Sequence, residues 1–307
     1  MTQKNAHLSA LHCDPQLGIC GVPTPNYPTH IMDYDTTSLV TIRYFTDPIC
    51  SSCWAIEPTL RKLKLVYGDQ LYIDYRMGGL LPDWSYKSNG IEQPSDVAQH
   101  WDDVSVYYDM PIDGSIWLTN PLDSSYPPSI AFKAIQLHDP KRAKLFLRNI
   151  RERVFLYQQN IADPAILEDA AVEVGHNLEQ FRMDFAGEAK KLFEADLELA
   201  KAYHVRSFPT QFVSTDGQVK QVVVGLKSYS DWVQLLHSIA PPLVPSSYNT
   251  DWETLFQAFS NLTALEFSEL SGMERKQTPA FLDELVASKS LQKFSTKNGD
   301  IWFLPQA

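Results

Sequence analysis

The chain has 307 residues, of which 44% are hydrophobic and 21% charged, with a net charge of -11. That length supports a large buried core and two domains, and the negative balance excludes non-specific attraction to nucleic acid or to an anionic membrane, which both require positive charge. No apolar run is long enough to span a bilayer, and Met1 to Ala10 lacks the apolar stretch of a secretory signal. The expected setting is therefore the cytoplasm, where thiols are kept reduced and the four cysteines read as redox or metal groups rather than staples.

Residues 1–36 are rich in Pro, Thr, Asn and His without a period, and read as an irregular N-terminal extension carrying Cys13 and Cys20. These two cysteines admit several readings: a second disulfide, a relay of oxidation to the main pair, a metal site shared with His12, or two unpaired thiols. The apolar, β-branched run at 37–46 predicts a buried strand, 52–67 a helix and Leu71 to Arg76 a second strand. Pro58 falls inside that helix and is expected to kink it. Gly68 supplies the stop signal. Residues 82–204 read as helical, with segments at 93–108, 128–137, 141–158 and 165–174, and one or two more over 178–203 around Gly187. Strand character returns at 207–213, turns at Asp216-Gly217, runs back through 219–224 and leads into a helix at 229–239. The Pro-rich segment 240–247 is a linker by composition. Beyond it, 246–307 predicts three short helices and a hairpin with an Asn298-Gly299 turn, a winged-helix-like layout. Its lysines and arginines at 275, 276, 289, 293 and 297 face eight acids, so DNA binding is not expected.

The chemistry concentrates at Asp47-Pro48-Ile49-Cys50-Ser51-Ser52-Cys53-Trp54, between the first strand and the first helix. A helix N-terminus offers free N–H groups and partial positive charge, which favour a thiolate. Thiolate is the form that attacks disulfides. Cys50 is thus expected to be an exposed nucleophile and Cys53 to resolve the mixed disulfide. Pro48, Ser51 and Ser52 are expected to tune the thiolate, and Trp54 to line the substrate surface. The competing reading is half a zinc site, but a structural zinc wants four ligands and no second Cys-x-x-Cys exists. There is no phosphate-binding glycine loop, no nucleophile elbow and no paired-histidine spacing, so neither cofactor nor metal is expected.

The phrase Asp-Pro-Ile-Cys-Ser-Ser-Cys-Trp, Pro58, Met77-Gly-Gly-Leu-Leu81, the distant Val205-Arg-Ser-Phe-Pro209-Thr and the helical block between the halves resemble the DsbA-like branch of the thioredoxin superfamily over about residues 37–240. The resemblance implies a thioredoxin-like α/β fold with an all-helical insertion. It also implies a cis peptide bond before Pro209, and a Phe208 backbone that pairs with an extended protein or peptide substrate. The activity implied is thiol–disulfide exchange on protein or peptide thiols. Many such oxidants carry a signal peptide and a His between the cysteines, whereas here Ser51-Ser52 stands. The added tail, Glu57-Pro58, Lys62-Leu-Lys-Leu-Val-Tyr-Gly68 and Phe146-Leu-Arg-Asn-Ile150 are similar to the Spx adaptors of the ClpXP protease. That likeness implies a non-enzymatic alternative, in which a transcription-factor client is held for degradation.

Overall fold

The structure, a computed structural model, describes residues 11, 13–22, 27, 38–85 and 91–305. In chain order it holds β1 (Cys13–Asp14), β2 (Ile19–Gly21), β3 (Val40–Thr46), α1 (Ser51–Ala55), α2 (Glu57–Tyr67) and β4 (Leu71–Met77). An all-helical insertion follows: α3 (Pro94–Tyr108), α4 (Ile116–Thr119), α5 (Tyr126–Gln136), α6 (Pro140–Phe155), α7 (Pro164–Glu173), α8 (Leu178–Ala186) and α9 (Glu188–Ala202). The chain then returns through β5 (Ser207–Phe208), β6 (Thr210–Thr215), β7 (Gln218–Val224) and α10 (Tyr229–Ile239). The C-terminal segment holds α11 (Trp252–Phe259), β8 (Asn261–Thr263), α12 (Ala264–Ser271), α13 (Thr278–Ala287), β9 (Gln292–Thr296) and β10 (Gly299–Phe303).

The main sheet has the order β4-β3-β6-β7, with β3 and β4 parallel and the other pairs antiparallel. Every residue of β3 is buried, because helices cover both faces of a central strand, and this is why its sequence is a continuous rather than an alternating apolar run. The result is a thioredoxin-like α/β fold. Pro58 does not sit inside one long helix. The helix breaks at Ile56 and Pro58 lies in the first turn of α2, where its missing N–H leaves no bond unmade. The C-terminal sheet has the order β8-β10-β9, so a short strand precedes the second helix of the expected helices-and-hairpin layout. The N-terminal segment also differs from the expected irregular chain: β1 and β2 form a hairpin that continues onto β5. Two- and three-residue strands carry no sequence period, and only pairing with a partner creates them.

The C-terminal module is joined to the rest by buried charge. Arg148 on α6 donates to both carboxylate oxygens of Glu266 at 2.7 and 3.0 Å and to Asn261 at 3.1 Å, and it also pairs with Glu152. Glu266 has no exposed surface and completes a capping box with Thr263 at the start of α12. Burial works against its charge, but Arg148 and Arg61 outweigh that and hold its carboxyl below the ordinary value. Breaking a buried ion pair strands the remaining charge, at a cost of about 3–5 kcal/mol. Arg148→Met is therefore expected to lower unfolding stability by about that amount; a urea midpoint equal to the wild type would rule this out.

Candidate functional site

Cys50 is the N-cap of α1, with extended backbone, and its sulfur accepts the Cys53 backbone N–H at 3.2 Å. The strand β3 delivers the turn Asp47-Pro48-Ile49, and that turn is locked by the Asp47 carboxylate. It accepts from the backbone N–H of Ile49 at 3.0 Å and Leu80 at 2.7 Å, and from the Ser125 hydroxyl at 2.8 Å. Pro48 is buried within this turn. Phe208–Pro209 is a cis peptide bond, as the family resemblance implies, and the Phe208 carbonyl accepts from the Cys50 thiol at 3.7 Å. The ring of Phe208 lies where a side chain at Gly78 would be: a Cβ there would be 1.9 Å from it. Met77-Gly78-Gly79 is thus needed for close approach, which only glycine permits.

Two expectations are corrected here. Cys50 was expected to be exposed; both Cys50 and Cys53 are free thiols with 0% exposure. The cover is the N-terminal hairpin, in which Cys20 pairs with Phe208 and Gly21 with Ser207. The position at which an extended substrate would pair is thus held by the chain's own β2. Trp54 was expected to line the surface. Instead it has no exposure, stacks on Phe155, donates its indole N–H to the Pro111 carbonyl at 3.2 Å and lies under the Arg148 guanidinium at 4.2 Å. An aromatic in the first turn of α1 points into the space between α1 and the insertion, so it packs there.

Cys13 and Cys20 form a disulfide. His12 lies outside the described residues, so the metal reading that needs it has no geometry to rest on. Ser51 and Ser52, expected to tune the thiolate, contact this disulfide instead. The Ser51 hydroxyl donates to Cys13 Sγ at 3.0 Å, and Cys20 Sγ lies 3.3 Å from Ser52 Oγ and 3.7 Å from Ser51 Oγ. Ser52 also shares a hydrogen bond with the Tyr108 hydroxyl at 2.8 Å. The Cys13 backbone N–H donates to His100 Nε2 at 2.9 Å.

The electrostatics divide the two thiols. Burial pushes the Cys50 thiol well above its ordinary value, and the neighbouring Cys53 sulfur and Asp47 add to that. Burial also opposes a Cys53 thiolate, but the hydrogen bond from Cys50, the Arg151 guanidinium, Thr46 and Tyr44 outweigh it and hold Cys53 below its ordinary value. With the groove covered, the charge therefore favours Cys53, the reverse of the expected order. Sequence reasoning missed Arg151 and Asp47. Arg151 is fully buried, pairs with Glu57, donates to Thr46 Oγ1 at 2.6 Å and reaches the Asp47 carbonyl at 3.3 Å. Its signal was legible: Arg148, Arg151 and Glu152 interrupt the apolar face of a helix at positions three and four apart. Asp47 stands in the cysteine phrase itself.

Burial pushes the Asp47 carboxyl up to about 6, against its hydrogen bonds and Arg151. A folded value above the unfolded one favours the protonated form, so this stabilisation is complete below about pH 4 and is lost as pH rises through about 6. Relative to Asp47→Asn, wild-type unfolding free energy is expected to fall by up to about 3 kcal/mol between about pH 4 and about pH 7; parallel profiles for the two proteins would refute it. The hairpin's seat is tested at Gly21, which has φ 104° and where a Cβ would lie 2.4 Å from the Arg206 carbonyl. Gly21→Val adds strain of about 1–3 kcal/mol to the docked state, so iodoacetamide labelling of Cys50 is expected to accelerate about 5- to 150-fold. An unchanged labelling rate would show that the hairpin is not the cover.

A family model described as thioredoxin matches residues 44–234. Among curated proteins, the chain is 29% identical over 303 residues to the ClpXP adapter protein SpxH of Halalkalibacterium halodurans, covering 96% of this chain and 98% of that one. It is 27% identical over 266 residues to SpxH of Bacillus subtilis, covering 85% and 88%. Among solved structures, the cytosolic disulfide reductase DsbM of Pseudomonas aeruginosa shares the fold, with a TM-score of 0.53 and 22% identity over 64% of this chain and 97% of that one. No helix among the described residues is long and apolar enough to cross a membrane. With a sheet in the order β4-β3-β6-β7, a dithiol at the first strand-to-helix junction and a cis-proline beside it, the chain belongs to the thioredoxin family.

Proposed function

We propose that the chain is an adapter for the ClpXP protease, acting in the cytoplasm and holding a protein client for degradation. The observation that carries this reading is the extent of the likeness to SpxH, 96% of one chain and 98% of the other. That span includes the C-terminal module. The disulfide reductase DsbM has a counterpart for 64% of the chain only. The closed site supports the same reading. Turnover on an external protein requires Cys50 to reach a sulfur of that protein, and Cys50 has no exposed surface while β2 occupies the edge. A binding protein needs no such access at the thiol. The client class follows from the sequence resemblance to Spx adaptors: a transcription factor.

Thiol–disulfide oxidoreductase activity is the second reading, favoured by one feature: Cys50 caps a helix and its sulfur receives a backbone N–H, the arrangement that stabilises a thiolate once the cover is lifted. The two readings separate in two assays. With purified ClpXP and a fluorescently labelled transcription-factor client, the chain is expected to raise the degradation rate roughly tenfold by bringing client and protease together. A Cys50→Ser, Cys53→Ser double variant is expected to retain that gain. No acceleration by either protein sinks the adapter reading. Insulin reduction by the wild type that vanishes in Cys50→Ser would establish the oxidoreductase.

A further inference from the structure

The N-terminal hairpin does more than fill space. Three observations place its disulfide within the dithiol site. The register sets Cys20 opposite Phe208, whose carbonyl accepts the Cys50 thiol. The two serines between Cys50 and Cys53 touch both sulfurs of the disulfide, at 3.0, 3.3 and 3.7 Å. The strand β2, which carries Cys20, packs directly against α1, the helix that Cys50 caps. The hairpin is also held at both ends: Val22 donates its N–H to the Arg206 carbonyl at 3.0 Å, and the Cys13 N–H donates to His100. Among the described residues the Cys13–Cys20 bond is the one disulfide.

We propose that Cys13–Cys20 is the internal substrate of Cys50, and that exchange within a single chain moves the disulfide from Cys13–Cys20 to Cys50–Cys53. Residues 13–21 are then a tethered substrate, bound in the extended form that the β5 edge accepts. In the first step the Cys50 thiolate attacks Cys20 Sγ. The Cys50–Cys20 bond forms, the Cys13–Cys20 bond breaks, and the electron pair leaves on Cys13. The Ser51 hydroxyl already donates to that sulfur, which stabilises it as it departs. Cys13 takes up the proton that Cys50 gave up. In the second step the Cys53 thiolate attacks Cys50 Sγ, forming Cys50–Cys53 and releasing Cys20, which takes the Cys53 proton. Each side of the reaction has one disulfide and two thiols, so no outside oxidant or reductant enters. Cys53, held low by Arg151 and its hydrogen bonds, is suited to resolve. Burial opposes the Cys50 thiolate, so the first step accelerates as pH rises. The segment that covers the groove loses its cross-link as the pair beneath it gains one. This exchange goes beyond the adapter reading and needs no client.

The test traps the intermediate. Full-length Cys53→Ser, purified with Cys13–Cys20 formed, is incubated at graded pH, quenched in acid, alkylated, digested and mapped by mass. The expected product links Cys20 to Cys50 with Cys13 alkylated, in a fraction that grows between about pH 7 and about pH 9. Ser51→Ala in the same background is expected to slow its formation about two- to tenfold, the weight of one neutral hydrogen bond. An intact Cys13–Cys20 with Cys50 alkylated only after denaturation overturns the proposal. A Cys50–Cys13 link overturns the assignment of Cys20 as the attacked sulfur. The unmutated chain supplies a second measurement that does not depend on how the variant folds. Carrying one disulfide per chain, it is expected to distribute that bond between the two pairs in a ratio unchanged by dilution. A ratio that shifts with protein concentration, or a bond that stays wholly at Cys13–Cys20 at every pH, overturns it.

Discussion

Two thiols buried at the N-terminus of a helix are the constraint around which this molecule is arranged. A helix start leaves backbone N–H groups without intrahelical partners, and here one of them is satisfied by the Cys50 sulfur. A fully desolvated thiol pair can carry charge only if nearby groups compensate for lost water. The neighbours that do so come from distant parts of the chain: Arg151 from α6, and Thr46 and Tyr44 from β3. The insertion and the sheet must therefore be assembled before the pair acquires its electrostatic character.

The same centre couples the C-terminal module to the site. Trp54, next to Cys53, lies beneath the Arg148 guanidinium, and Arg148 is held by Glu266 at the first turn of α12. A displacement of that module has a short path to the first turn of α1. The path consists of an aromatic face, a delocalised cation and a carboxylate, each buried, so water does not screen it. The module is thus physically joined to the dithiol without touching it.

The β5 edge explains why the N-terminal segment matters. An unpaired strand end offers a row of free N–H and C=O groups and invites another chain. Ser207 and Phe208 form such an edge beside the thiols, and Cys20 and Gly21 pair with it. The contacts that would recognise an extended partner are spent on the chain's own residues. An external partner gains that edge only by displacing β2, and so competes with a local concentration set by a short tether. Binding through other surfaces carries no such penalty.

Much of the domain was legible in the sequence, because its signals are local. The apolar run of β3, the strand signal of β4, the Asp216-Gly217 turn, the helical segment at 165–174 and the break at Gly187 each act over a few residues, and the structure has β3, β4, α7, α8, α9 and the β6–β7 hairpin in those places. The Cys-x-x-Cys phrase located the site, and the family resemblance brought Pro209 to it across more than a hundred residues of insertion. What the sequence by itself determined is therefore the set of elements, the position of the dithiol and the thioredoxin frame. Only the tertiary structure decided that the thiols are closed off, that Ser51 and Ser52 face the Cys13–Cys20 disulfide, that Trp54 is core, and that Arg151 and Asp47 set the local charge. The physical reason is that exposure and ionisation belong to neighbours. A two-residue strand has no period to read, and a buried arginine reads as a surface one until the chain that desolvates it has folded over it.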